Sequence, residues 1–208
     1  MIIVFDFDGT MADSLTVIRQ MYNERAPEYG LRTIDEADWQ RIRRMNFKEM
    51  LRFAQLKPYQ LPKYITLGKK LLTEHSDRIG LFPGIAEVVK QLHADGHQLF
   101  VLSTNSQAVV QAILNRSGLS DHMTVMKSSK IFGKAQPLKR LIKQSGIQAT
   151  DMWVIGDETR DAQAAHKAGA RPLSVTWGFH PPEVLATAKP SAVANKPRDI
   201  LTIINREA

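Results

Sequence analysis

The sequence predicts an α/β protein, a doubly wound parallel sheet with a helical segment inserted after its first strand. Three observations carry that expectation. Short, β-branched apolar runs recur along the 208 residues. Amphipathic helical periods separate them, each followed by a glycine. From about Ser14 to Gly80 the alternation stops and no convincing strand is found.

Ile2-Ile3-Val4-Phe5 opens the chain as a buried strand ending at Asp6. In the insertion, Leu15, Ile18, Met21 and Tyr22 share a helical face. Trp39 and Ile42 with Phe47, Met50 and Leu51 predict one or two further helices, and Ile65, Leu71 and Leu72 another after Pro62. Leu81-Phe82-Pro83-Gly84 marks the return to the α/β body. Ile85, Val88, Val89 and Leu92 recur at i, i+3, i+4 and i+7, as a helix face requires. Val109, Val110, Ile113 and Leu114 behave likewise, as do Leu138, Leu141 and Ile142. Strands are predicted at 98–102, 152–155 and 172–176, with a weaker one at 124–126. Gly96, Gly118, Gly146 and Gly169 stand where helix C-terminal caps belong. The tail reads as an edge strand at 192–194 and a closing helix through Ile200, Leu201 and Ile204. The expected division is a core of residues 1–13 and 81–208 and a helical cap of residues 14–80.

Composition excludes several function classes. The chain has no cysteine, so it has no disulfide scaffold, no thiolate metal site and no cysteine nucleophile. No apolar run approaches the ~18 residues of a membrane span, and the opening segment does not resemble a signal peptide. A cytoplasmic location is expected. The 28 Lys and Arg exceed the 21 Asp and Glu, for a net charge of +7. Between Ser14 and Gly80 stand 13 basic and 8 acidic residues, so +5 of that excess lies in the insertion. Such a surface attracts an anion: nucleic acid, a membrane or a small phosphorylated molecule.

Four clusters carry chemistry. In Asp6-Phe7-Asp8-Gly9-Thr10, two acids follow a buried strand and a glycine turns the chain. Two close carboxylates repel, so a divalent cation or a held proton must compensate. In Gly156-Asp157-Glu158-Thr159-Arg160-Asp161, acids again follow a strand and open a helix. Asp6, Asp8 and Asp157 supply the hard oxygens magnesium prefers, and helix capping alone would also explain Asp161. Ser103-Thr104-Asn105-Ser106, between a strand and a helix, offers hydroxyls and amides suited to phosphate. Lys127, Lys130 and Lys134 precede the helix that begins near Ala135, where a lysine could neutralise phosphate or a nucleophile.

The order DxDGT, a hydroxyl after a strand, a lysine, then GDxxxD resembles the haloacid dehalogenase-like hydrolase superfamily, with its Rossmann-like core. The segment GDETRDAQAAHKAG and the Trp177-Gly178-Phe179 turn are similar to its phosphoglycolate phosphatase-like branch, whose mobile cap the insertion also resembles. The resemblance implies a magnesium-dependent phosphatase acting on a small phosphorylated metabolite through an aspartyl-phosphate. Asp6 would be the nucleophile and Asp8 the general acid and then base. Magnesium would bind Asp6, the backbone carbonyl of Asp8, and Asp157, with Asp161 supporting the metal site or the lysine. Ser103, or alternatively Thr104, would bond the transferring phosphoryl, with Asn105, Gly9 and Thr10 lining its site. Lys134 is the preferred lysine, with Lys127 and Lys130 behind it.

Asp8 argues against carbon–halogen cleavage, which needs no acid to protonate a leaving alcohol. A sugar-phosphate mutase shares the same motifs. A phosphonate hydrolase would use a cap lysine, and Lys48, Lys57, Lys63, Lys69 and Lys70 are candidates. Arg41, Arg43, Arg44 and Lys48 are candidates for substrate contact, and His180 could approach the site. A nucleic-acid-binding role is the alternative of a different class, but no zinc finger, aromatic-rich basic strand or GxxxxGK[ST] loop is present.

Overall fold

Six strands form one parallel sheet in the order β3-β2-β1-β4-β5-β6. They are β1 (Ile2–Phe5), β2 (Gln98–Ser103), β3 (Thr124–Lys127), β4 (Met152–Gly156), β5 (Arg171–Val175) and β6 (Ala192–Ala194). This computed structural model describes residues 1–29, 31–54, 57, 59, 66, 70, 72–128 and 133–207. The strand order is the doubly wound one, with helices on both faces. Alternation along β1 explains why both faces are apolar. Ile3 and Phe5 join a cluster with Val101, Trp153, Ile155, Val89, Val110 and Ile204. Ile2 and Val4 face the other way, toward Leu138, Leu141, Ala164 and Ala165. All four β1 residues are buried, the signature of a central parallel strand.

The helices of the body are α4 (Ile85–Ala94), α5 (Gln107–Arg116), α6 (Ala135–Ser145), α7 (Thr159–Ala168), α8 (Pro182–Ala186) and α9 (Pro197–Glu207). Gly146 and Gly169 close α6 and α7 in the left-handed conformation, as their positions in the sequence predict. Each predicted strand is present, with bounds shifted by about one residue.

Among the described residues, the segment between β1 and α4 holds no strand longer than an isolated bridge. It contains α1 (Ser14–Arg25), α2 (Glu36–Ile42) and α3 (Phe47–Phe53). Asp35 caps α2, and Asn46 and Glu49 form a reciprocal capping box on α3. The buried face of α1 is Ser14, Val17 and Met21, whereas Ile18, expected inside, is exposed. The helix is rotated because Val17 and Met21 pack into the core beside β1. The helix expected after Pro62 rests mostly on residues outside those described. Both ends of the segment meet: the amide of Asp13 donates to the carbonyl of Gly80 at 2.9 Å, and that of Phe82 to Met11 at 2.9 Å. The chain therefore leaves and rejoins the body at one place.

Register positions the chemistry. Phe5 is level with Val101 on one side and Ile155 on the other. The chain thus emerges from the carboxyl edge at Asp6, Ser103 and Asp157 together, where open α/β sheets place their ligands. Among the described residues, no helix is long and apolar enough to cross a membrane.

Candidate active site

Asp6 sits at the end of the central strand, buried. Its Oδ1 accepts the amide of Phe7 at 2.7 Å, and its Oδ2 meets Lys134 Nζ at 2.6 Å. The same ammonium donates to Asp161 Oδ1 at 2.7 Å, so one sealed lysine bridges two acids. Asp161 also accepts the amide of Glu158 at 3.1 Å, so it serves the helix start as well. Burial would lower the Lys134 pKa, but Asp161 and Asp6 outweigh it and hold the ammonium above its ordinary value. Burial pushes Asp6 up to about 7 against the pull of Lys134.

Asp157, fully buried, is held from three sides. Thr10 Oγ1 donates to its Oδ1 at 2.6 Å, the amide of Phe179 to its Oδ2 at 2.7 Å, and the amide of His180 to its carbonyl at 3.1 Å. Two glycines make room for it. Gly9 has φ +79, and a β-carbon there would lie 2.2 Å from Asp157 Oδ2; one on Gly178 would lie 2.2 Å from the Asp157 β-carbon. Burial, then Asp6, Glu158 and Asp161, raise the Asp157 pKa well above the usual carboxylate range.

Asp6, Asp157 and Asp161 each offer an oxygen within 4.8 Å of the others. The ammonium of Lys134 leaves this trio with net negative charge, and Arg160 is paired with Glu158. An all-oxygen, over-charged donor set fits a hard divalent cation. Asp8 lies outside the trio, half-buried, with Asn105 Nδ2 donating to its Oδ1 at 3.3 Å.

The other candidates fall as follows. Ser103 is buried at the end of β2, and its Oγ accepts the amide of Asn105 at 2.9 Å, which leaves the hydroxyl proton to donate. Thr104 beside it is half-buried. The Gly9 amide donates to Ala12 at 2.9 Å and the Thr10 amide to Phe7 at 3.4 Å, so both are engaged within the turn. Lys127 ends β3, and Lys130, like Lys63 and Lys69, lies outside the described residues. Arg44 is on the surface, paired with Glu183 at 3.0 Å rather than gathered with the acids. Lys70 is exposed and pairs with Glu74.

A cavity of about 660 Å³ opens between the insertion and the body, reaching the start of α7 at Glu158, Thr159 and Arg160. It is lined by Leu15, Met45, Lys48, Met50, Arg160 and His180, among others. Three features of this region are not legible from motif spacing. Arg43 reaches the turn after β5, donating through Nε to the carbonyl of Phe179 and through its NH2 group to that of Gly178, whereas Arg44 meets the body at Glu183. Trp177 Nε1 donates to the carbonyl of Thr10 at 3.0 Å, tying the turn after β5 to the first motif. His180 Nδ1 accepts the amide of Thr159 at 3.0 Å. The tryptophan and histidine near a Gly-Phe pair were the available signal, but it names no partner.

Comparison with known proteins agrees with this geometry. The family model described as haloacid dehalogenase-like hydrolase matches residues 3–175. A phosphoglycolate phosphatase from Synechococcus elongatus is 34% identical over 205 residues, covering 98% of this chain and 97% of that protein. One from Vibrio vulnificus is 23% identical over 98% of the chain and 95% of its own length. A solved predicted phosphatase from Clostridium acetobutylicum superposes with a TM-score of 0.82 at 17% identity over 98% of this chain and 97% of that one. A haloacid dehalogenase-like hydrolase from Streptococcus pneumoniae does so with 0.80 at 20%, over 97% and 96%. With all four motifs gathered at one sheet edge and the family match running from β1 through β5, the chain belongs to the haloacid dehalogenase-like hydrolases.

Proposed function

We propose that this hydrolase is a magnesium-dependent phosphatase that cleaves a small phosphate monoester through an aspartyl-phosphate on Asp6. The relative from Synechococcus elongatus, named for phosphoglycolate, makes 2-phosphoglycolate the first ester to test. The observation that carries the reading is the Asp6 carboxylate itself: buried, oriented by the Phe7 amide, and paired with a sealed lysine.

In this reading an Asp6 oxygen attacks phosphorus and the bond to the leaving alcohol breaks. Asp8, less buried than Asp6 and oriented by Asn105, gives its proton to the departing alkoxide. The resulting Asp8 carboxylate takes a proton from water, which attacks phosphorus and frees Asp6. Charge on the transferring group spreads over its oxygens, so positioning and electrostatics do most of the work. Lys134 and the Ser103 hydroxyl, with Thr104 its neighbour, would meet that charge. Asp6, the Asp8 carbonyl and Asp157 would hold the cation, with Asp161 anchoring Lys134. When bound, magnesium offsets the repulsion between an anionic nucleophile and an anionic phosphate. The insertion would act as the cap over this site.

The test is release of inorganic phosphate from a panel of monoesters that includes 2-phosphoglycolate. Turnover with magnesium, lost on chelation and restored by magnesium, is expected. Full turnover in chelator would remove the metal from the account.

A further inference from the structure

The helices α2 and α3 gather arginines around a second concavity, which the phosphoryl chemistry does not use. Its volume is about 540 Å³, and it is lined by Arg41, Arg44, Met45, Glu49, Arg52 and Phe53. None of these residues belongs to the acidic trio or its lysine.

Two short helices put the charges there. Arg41 stands in the last turn of α2, Arg52 in the last turn of α3, and Arg44 follows α2 closely. Phe53 ends α3 and carries two cations: the guanidinium of Arg41 lies 5.7 Å from its ring centroid and that of Arg32 5.6 Å. A guanidinium stacked on a ring keeps its edge, where the N–H donors are, for a second partner. Arg32 has that partner in Asp38. Arg41 and Arg52 are exposed and have no ion pair among the described residues. Arg44 donates through Nε to Glu183 at 3.0 Å and through Nη1 to the carbonyl of Gln40 at 2.7 Å. The acid of the lining, Glu49, accepts the amide of Asn46 at 2.8 Å in the capping box of α3. Among the described residues the lining thus sets three guanidiniums against a single carboxylate.

That imbalance says what the concavity would hold. The arginine fork takes phosphate oxygens in pairs. Three forks around one hollow suit several linked phosphates better than one. Phe53 already carries two guanidiniums, so the lining reads charge rather than the face of a base.

We propose that Arg41, Arg44 and Arg52 form a binding site for an oligophosphate, separate from the site of phosphoryl transfer. Binding would draw Arg44 from Glu183, one of the contacts between the insertion and the body.

The test is calorimetry of tripolyphosphate on the full-length native protein in metal-free buffer. There the uncompensated carboxylates of the acidic trio disfavour an anion in the phosphoryl site. Saturable one-to-one binding is expected, with inorganic phosphate and citrate each at least about tenfold weaker. Arg41→Gln with Arg52→Gln should weaken tripolyphosphate by about tenfold or more. Lys139→Gln with Lys143→Gln, at exposed positions of α6, removes the same charge elsewhere and should stay within about twofold of native. Glu183→Gln frees Arg44 from its competitor and should tighten binding about threefold, whereas Glu87→Gln on α4 should change it less. Equal losses in the two double variants would mean that tripolyphosphate senses only the general charge of the protein, and would overturn the site. So would the absence of saturable binding, or citrate binding as tightly as tripolyphosphate. Glu183→Gln no tighter than Glu87→Gln would overturn the part given to Arg44.

Discussion

Asp6 and Asp157 are charged groups in a place that disfavours charge. Burial raises both, Asp6 to about 7. Between the ordinary carboxylate value of 3.8 and that raised value, the folded protein keeps a proton that the unfolded chain has released. Stability without metal should therefore fall as pH rises through this window. A cation that binds the folded form takes the proton's place, and protons compete with it at low pH. Magnesium at about 100 times its dissociation constant should stabilise by about 2.7 kcal/mol, which is about 5–10 °C in Tm for a chain of this size. Differential scanning fluorimetry should show that shift at pH 8 and a much smaller one at pH 5. Equal shifts at the two pH values would mean that these acids are not the ligands. Gly9 and Gly178 belong to the same local problem, since any β-carbon at either position would collide with Asp157.

Arg43 is a direct polar link between the insertion and the body. It follows the last residue of α2 and donates to the carbonyls of Gly178 and Phe179, the turn that also supplies two amides to Asp157. Trp39 adds an edge-on contact with Phe179 at 5.8 Å. Arg43→Ala should cost about 1–2 kcal/mol in denaturant unfolding and speed proteolysis within residues 31–54. Unchanged proteolysis would show that Arg43 does not fasten the insertion. The strands β1 and β4 are legible in the sequence because both are buried throughout, so a plain apolar run suffices. The helices α2 and α3, at seven residues each, are too short for periodicity to tell Arg41, Arg43 and Arg44 apart. Spacing therefore offers all three as candidates alike, and only the structure shows that Arg44 pairs with Glu183. The facing of α1 is illegible in the sequence for a related reason: Leu15 and Ile18 are as apolar as Val17, and only the neighbouring core decides which turn inward.

Across the whole molecule, three strand ends bring together residues up to 155 positions apart, from Asp6 to Asp161. The first and last motifs could be read from sequence because each pairs acids with a strand end. Their meeting, and the lysine sealed between them, depends on the parallel register of β1 with β4. The net charge of +7 surrounds a site that is itself acidic. Ion pairs such as Arg19–Glu36 and Arg78–Glu24 on the insertion lie at the surface, where each contributes at most about 1 kcal/mol. The basic excess therefore bears on attracting an anionic ester more than on holding the fold. The central claim is that Asp6 is the atom-bearing nucleophile of this assembly. Its most direct test is the rate of phosphate release by Asp6→Asn against the native protein, with magnesium present and an unchanged circular dichroism spectrum. The account predicts a loss of at least about a thousandfold, and release at the native rate would contradict it.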